Sequence, residues 1–158
     1  MELCIALDCA RVNTFKMSFQ LDGFLAGADE LDKVLGALAA RAATLALPAP
    51  LIDKLNLIVE ELFLNTVQHG DVDGDFHSVA ISLDRLPGSV QLTYEDSGQP
   101  YDPFALVDRG VLTETGAARR VGGLGVLLVE RLANTAHYER LPERNRIELT
   151  FALAPSLS

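Results

Sequence analysis

Two runs of strict alternation, joined by a turn, constrain this chain more than any other feature. From Phe76 to Asp84 the large apolar Val79, Ile81 and Leu83 alternate with the small or polar Ser78, Ala80, Ser82 and Asp84, and from Ser89 to Glu95 Val90, Leu92 and Tyr94 alternate with polar residues. Period-2 alternation describes a strand with one buried face. Pro87-Gly88 between the runs makes them antiparallel neighbours. A sheet with one apolar face needs a cover, and the preceding residues supply it. Leu31, Val34, Leu35, Leu38, Ala42 and Leu45 fall at helical spacing from Asp29 to Leu45. Pro48 and Pro50 end that helix and open another, from about Pro50 to His69, with Gly70 as its left-handed stop.

Around this centre the pattern continues. Lys16 to Asp22 alternates Met17, Phe19 and Leu21 and reads as a strand, and Leu3, Ile5 and Leu7 repeat the pattern weakly. Asp96 to Val121, with Gly98, Pro100, Pro103, Gly110 and Gly116, reads as a long irregular segment, a type that is usually functional. A helix from Leu124 to about Asn134 and strands at His137 to Leu141 and Arg146 to Leu153 close the chain. The order predicts an α+β fold, a two-layer sandwich with helices on one face of a mostly antiparallel sheet. At 158 residues the expectation is a single domain, 1–158.

Composition narrows the function. A net charge of −9 argues against direct nucleic-acid binding, which needs a basic footprint. It leaves nucleotides open, because backbone N–H groups and a bridging cation can hold phosphate. No apolar run reaches membrane-spanning length and the first residues lack a secretory pattern, so a cytoplasmic home is expected. Cys4 and Cys9 make neither a disulfide framework nor a four-ligand zinc site.

Three motifs carry the candidate chemistry. Glu61 and Asn65 stand one turn apart on one helical face, at the edge of the stripe Leu51, Leu55, Ile58, Val59, Leu62 and Thr66. Asn is a poor helix former and needs a reason to sit there. Leu57 and Leu64 flank the pair, which predicts a face that is not simply wet, and Glu60 points about 100° away. Next, Asp96-Ser97-Gly98-Gln99-Pro100-Tyr101-Asp102-Pro103 follows an alternating strand. A carboxylate there is either a turn former or an acceptor for the amino group of adenine, with Gly98 letting a base approach. Last, Gly122-Gly123-Leu124-Gly125 opens a helix, where unpaired N–H groups and the helix dipole favour an anion. The preceding loop can then fold over the phosphates, with Arg119 and Arg120 at its end.

The order and spacing of these motifs resemble the GHKL ATPase superfamily (the Bergerat nucleotide-binding fold), and within it the small anti-sigma-factor serine/threonine kinases. The resemblance covers about residues 16 to 153. It implies that Asn65 binds Mg2+ and that Glu61 activates the attacking hydroxyl. His69-Gly70 completes the family's Glu-x-x-x-Asn-x-x-x-His-Gly pattern, with His69 read as structural. Asp96 to Pro103 matches the branch's Asp-x-Gly-x-Pro-Phe-Asp-Pro signature with Tyr101 for Phe. By the same resemblance Asp96, Gly98 and Pro100 bind the adenine end of ATP, and Gly122, Gly123, Leu124 and Gly125 bind its phosphates. Two positions depart from the pattern. Val121 stands where the family often has a basic residue, and Asn145-Arg146-Ile147 stands where many relatives have a Gly-Thr whose hydroxyl helps bind adenine, with Thr150 a candidate substitute. The implied activity is ATP- and Mg2+-dependent phosphorylation of a small anti-anti-sigma antagonist, in competition with a sigma factor, by a homodimer. The rival reading is a non-catalytic, nucleotide-dependent protein-binding module.

Overall fold

The computed structural model describes residues 16–21, 28–69, 77–105, 129 and 131–154. The elements run β1 (Lys16–Leu21), α1 (Ala28–Thr44), α2 (Ala49–His69), β2 (His77–Leu86), β3 (Ser89–Asp96), β4 (Thr135–Leu141) and β5 (Arg144–Ala152). The strands form one five-stranded sheet in the order β1-β2-β3-β5-β4, and every described pair is antiparallel. The expected α+β two-layer sandwich is the observed fold. The weak N-terminal strand at Leu3 to Leu7, the loop beyond Ala105 with Arg119 and Arg120, Gly122 to Gly125 and most of the following helix lie outside the described residues.

One face of the sheet carries the core. Strand register aligns Ile81, Tyr94 and Ile147 in one row and Leu83, Leu92 and Leu149 in the next. These side chains are buried together with Leu38, Leu55, Ile58 and Phe63 of the helices. The predicted inner stripe of α2 is buried from Leu51 to Thr66. Leu57 and Leu64 differ from the expectation: they are 37% and 38% exposed, and with Val67 they line the outer side of α2. Their spacing puts them on the turn-to-turn line opposite the core stripe, which the sheet cannot reach.

Helix α1 ends in a left-handed cap without glycine. Leu47 N donates to Ala42 O and Ala46 N to Ala43 O, with Ala46 at φ 49°. These are the paired bonds of a Schellman cap, in which the left-handed residue is usually Gly. An L-residue there costs roughly 1–2 kcal/mol, partly offset by the roughly 0.4–1 kcal/mol that Gly loses through unfolded-state entropy. Ala46→Gly is therefore expected to stabilise the fold by about 0.5–1 kcal/mol, seen as a higher urea midpoint at unchanged slope.

The last hairpin departs most usefully from expectation. Strand β5 begins at Arg144 rather than Arg146, because Leu141 pairs with Arg144 across a tight turn. That extension places Asn145 inside the sheet, directly opposite Asp96.

Candidate functional site

A cleft opens between the C-terminal half of α2 and the end of β3. Helix α2 contributes Leu62, Asn65 and Thr66, and the sheet contributes Tyr94, Asp96, Asn145 and Ile147. The segment after β3 closes one side with Gly98, Gln99, Tyr101 and Pro103.

The helix wall follows from periodicity. Asn65 stands one turn after Glu61 and is 7% exposed. Its Nδ2 is buried and has no hydrogen-bond partner among the described residues. A buried, unpaired amide donor costs roughly 1–3 kcal/mol, so a mid-helix Asn of this kind fits a site that completes itself with a polar ligand. Beside it Thr66 Oγ1 donates to Leu62 O at 3.1 Å. That bond uses the threonine proton, so Tyr94 donates its own to Thr66 Oγ1 at 2.9 Å. Burial pushes the Tyr94 hydroxyl up from its ordinary value, against a smaller lowering by Thr66, and keeps it a neutral donor in the cleft floor.

The sheet wall separates two adjacent carboxylates. Glu95 and Asp96 point to opposite faces, as successive strand residues must. On the outer face Glu95 accepts from Arg146 Nη2 at 2.7 Å and Nε at 2.9 Å. That pairing holds the Arg146 guanidinium in its charged form. Asp96, 8% exposed, turns inward at the end of the row that also holds Asn145. Its Oδ1 accepts from Gly98 N at 2.8 Å and Asn145 Nδ2 at 2.9 Å. The first bond is an Asx turn, which bends the chain off the strand at Ser97-Gly98. Ser97 N donates to Ser78 O at 3.0 Å and Ser97 Oγ accepts from Ser78 N at 2.8 Å, so the bend is tied to β2 as well. A second Asx turn, Phe104 N to Asp102 Oδ1 at 2.9 Å, follows the same logic.

The structure brings Asn65, Asp96 and Gly98 of the sequence-predicted residues into one cleft. Glu61 is half-buried on α2 and does not line it, and Pro100 is exposed beside it. Gly122, Gly123, Leu124 and Gly125, expected to bind phosphate, lie outside the described residues. Thr150 sits opposite Gln91, in the alternate register to Asp96, and so faces the other side of the sheet. Asn145, which sequence reading mentioned only as a departure from a pattern, is the buried polar residue beside Asp96. Its signal was available: Asn145, Ile147, Leu149 and Phe151 alternate on one apolar face, where an Asn needs partners.

Residues 24–151 match the family model for the histidine kinase-like ATPase domain. The chain belongs to that family. No curated protein matches it. Among solved structures it is similar to the RsbU and RsbW domains of Rv1364c from Mycobacterium tuberculosis, with a TM-score of 0.57 and 16% identity, covering 87% of this chain and 32% of that one. The chain thus spans about a third of that protein's length. It is also similar to the SiaB-SiaC complex from Pseudomonas aeruginosa, with a TM-score of 0.52 and 16% identity, covering 86% of this chain and 89% of that one. At such identities the likeness speaks for the fold. No helix among the described residues is long and apolar enough to cross a membrane.

Proposed function

We propose that this chain is an ATP- and Mg2+-dependent serine/threonine protein kinase of the anti-sigma type, acting on a small anti-anti-sigma antagonist. The observation that carries the reading is the pairing of a pinned, buried carboxylate, Asp96, with the orphaned amide of Asn65 across one cleft. Asp96 accepts the amino group of adenine, and the Asx turn at Gly98 keeps the adjoining backbone low enough for a base to lie against it. Gly122, Gly123, Leu124 and Gly125 receive the phosphates on backbone N–H groups. Asn65 would hold Mg2+ through its Oδ1, since the ion takes oxygen ligands, few of them from protein, and its unpaired Nδ2, a donor, would serve a phosphate oxygen instead. The ion would supply positive charge that neutralises the phosphates during transfer. Glu61, one turn away, orients the hydroxyl of the protein substrate.

The likeness to the SiaB-SiaC structure, a protein complex, supports a protein partner. The partner-switching role, in which antagonist and sigma factor compete for a homodimeric kinase, is what the motif resemblance implies. One observation favours the second reading, a nucleotide-dependent binding module without transfer: Glu61 stands off the cleft wall. Asn65→Ala tests the shared part of both readings. It is expected to abolish Mg2+-dependent ATP binding by calorimetry while leaving thermal unfolding cooperative. Unchanged affinity would remove Asn65 from the site.

A further inference from the structure

Asn145 is 2% exposed and makes five hydrogen bonds across three segments of the chain. Its Nδ2 donates to Asp96 Oδ1 at 2.9 Å and to Gln99 O at 2.8 Å. Its Oδ1 accepts from Tyr138 OH at 2.9 Å, Arg140 Nη1 at 2.9 Å and Tyr101 N at 3.3 Å. Three donors on one end and two acceptors on the other fix the amide orientation, since a flip would set N–H groups against N–H and O–H groups. Arg140 Nη1 also donates to Gly98 O at 2.8 Å, so the same group of side chains holds both Gly98 and Gln99.

We propose that Asn145 is the positioning residue for adenine recognition: it aims the Asp96 carboxylate and fixes the Gly98-Gln99 backbone against which the base lies. The inference rests on the adenine role of Asp96. Both amide protons of Asn145 are already committed, so it works through Asp96 and the loop rather than by touching the base. Two donors on one oxygen set the plane of the carboxylate, and one of the two comes from Asn145. The hydroxyl expected near this point from Thr150 is on the other face of the sheet. An Asn extended from β5 supplies the donor instead and reaches one atom further, to the loop carbonyl. A purely structural role would predict a different outcome: loss of Asn145 would then weaken every ligand of the cleft alike.

The test compares Asn145→Thr with Asn145→Val, two side chains of one shape that differ by a hydroxyl and suit a strand equally. Affinities for ATP and for inorganic tripolyphosphate are measured by calorimetry with Mg2+, and Asp96→Asn is measured in parallel. The Val variant is expected to bind ATP about tenfold more weakly than the Thr variant, with tripolyphosphate changed less than about twofold, because only the base end loses a charge-assisted bond. Combining Asn145→Val with Asp96→Asn is expected to cost little beyond Asp96→Asn alone, because the two residues act as one unit. Equal ATP affinity for the Thr and Val variants, or a parallel loss of ATP and tripolyphosphate, would overturn the role of Asn145. If Asp96→Asn leaves the ratio of ATP to tripolyphosphate affinity untouched, the adenine reading of Asp96 itself fails and this inference falls with it.

Discussion

Replacing Glu61 by alanine is expected to leave ATP binding near the parent level and to slow phosphate transfer to a protein antagonist by about 10²–10⁴-fold, the usual range for losing a positioned general base. The expectation is geometric. Glu61 stands on α2 one turn before Asn65 and is not among the residues that line the cleft with Asp96. In the proposed site its carboxylate would face the phosphates. A carboxylate there accepts a hydrogen bond from an incoming hydroxyl and aligns it for in-line attack. It contributes little to ground-state affinity, because negative charge beside phosphates is unfavourable, if anything. The measurement is single-turnover transfer at saturating ATP, with nucleotide affinity determined separately. Transfer at the parent rate would place the base elsewhere, whereas absence of transfer by the parent chain itself would leave the binding-module reading in its place.

Asp96→Asn is expected to weaken ATP by roughly 1.5–3 kcal/mol, the range of a charge-assisted hydrogen bond, while sparing tripolyphosphate. The loss has two sources. An amide presents a donor where the adenine amino group needs an acceptor. It can also turn its NH2 toward Gly98 N and Asn145 Nδ2, which now donate to Asp96 Oδ1 at 2.8 and 2.9 Å, and so loosen the Asx turn and the loop it sets. Competition calorimetry with ATP and tripolyphosphate checks both. Equal weakening of the two ligands would mean that Asp96 supports the cleft without reading the base.

Much of this arrangement was legible in the sequence because periodicity and burial agree. The alternation of Val79, Ile81 and Leu83 against Val90, Leu92 and Tyr94 is the register observed between β2 and β3. The helical spacing of Leu55, Ile58, Val59 and Leu62 is the buried face of α2, and it put Asn65 at the cleft edge. Two kinds of feature were not legible. The outer side of α2 was read from Leu57 and Leu64 as partly dry, but an apolar side chain carries no information about whether anything covers it. The start of β5 was placed too late, because Arg144 and Asn145 give no apolar alternation and their pairing is decided by tertiary partners. Arg146 is held by Glu95, and Asn145 by Asp96, Gln99, Tyr138 and Arg140. Those contacts join residues far apart in the chain, and no local pattern reports them.

The central claim is that the cleft between α2 and β3 is an adenine-nucleotide site. Calorimetric titration of the parent chain with ATP and then GTP, each with and without Mg2+, tests it most directly. The account predicts saturable one-to-one binding of ATP that needs Mg2+, and GTP weaker by about tenfold or more, since guanine presents a carbonyl to the Asp96 carboxylate where adenine presents an amine. Equal affinity for ATP and GTP, or no binding of either, would contradict it.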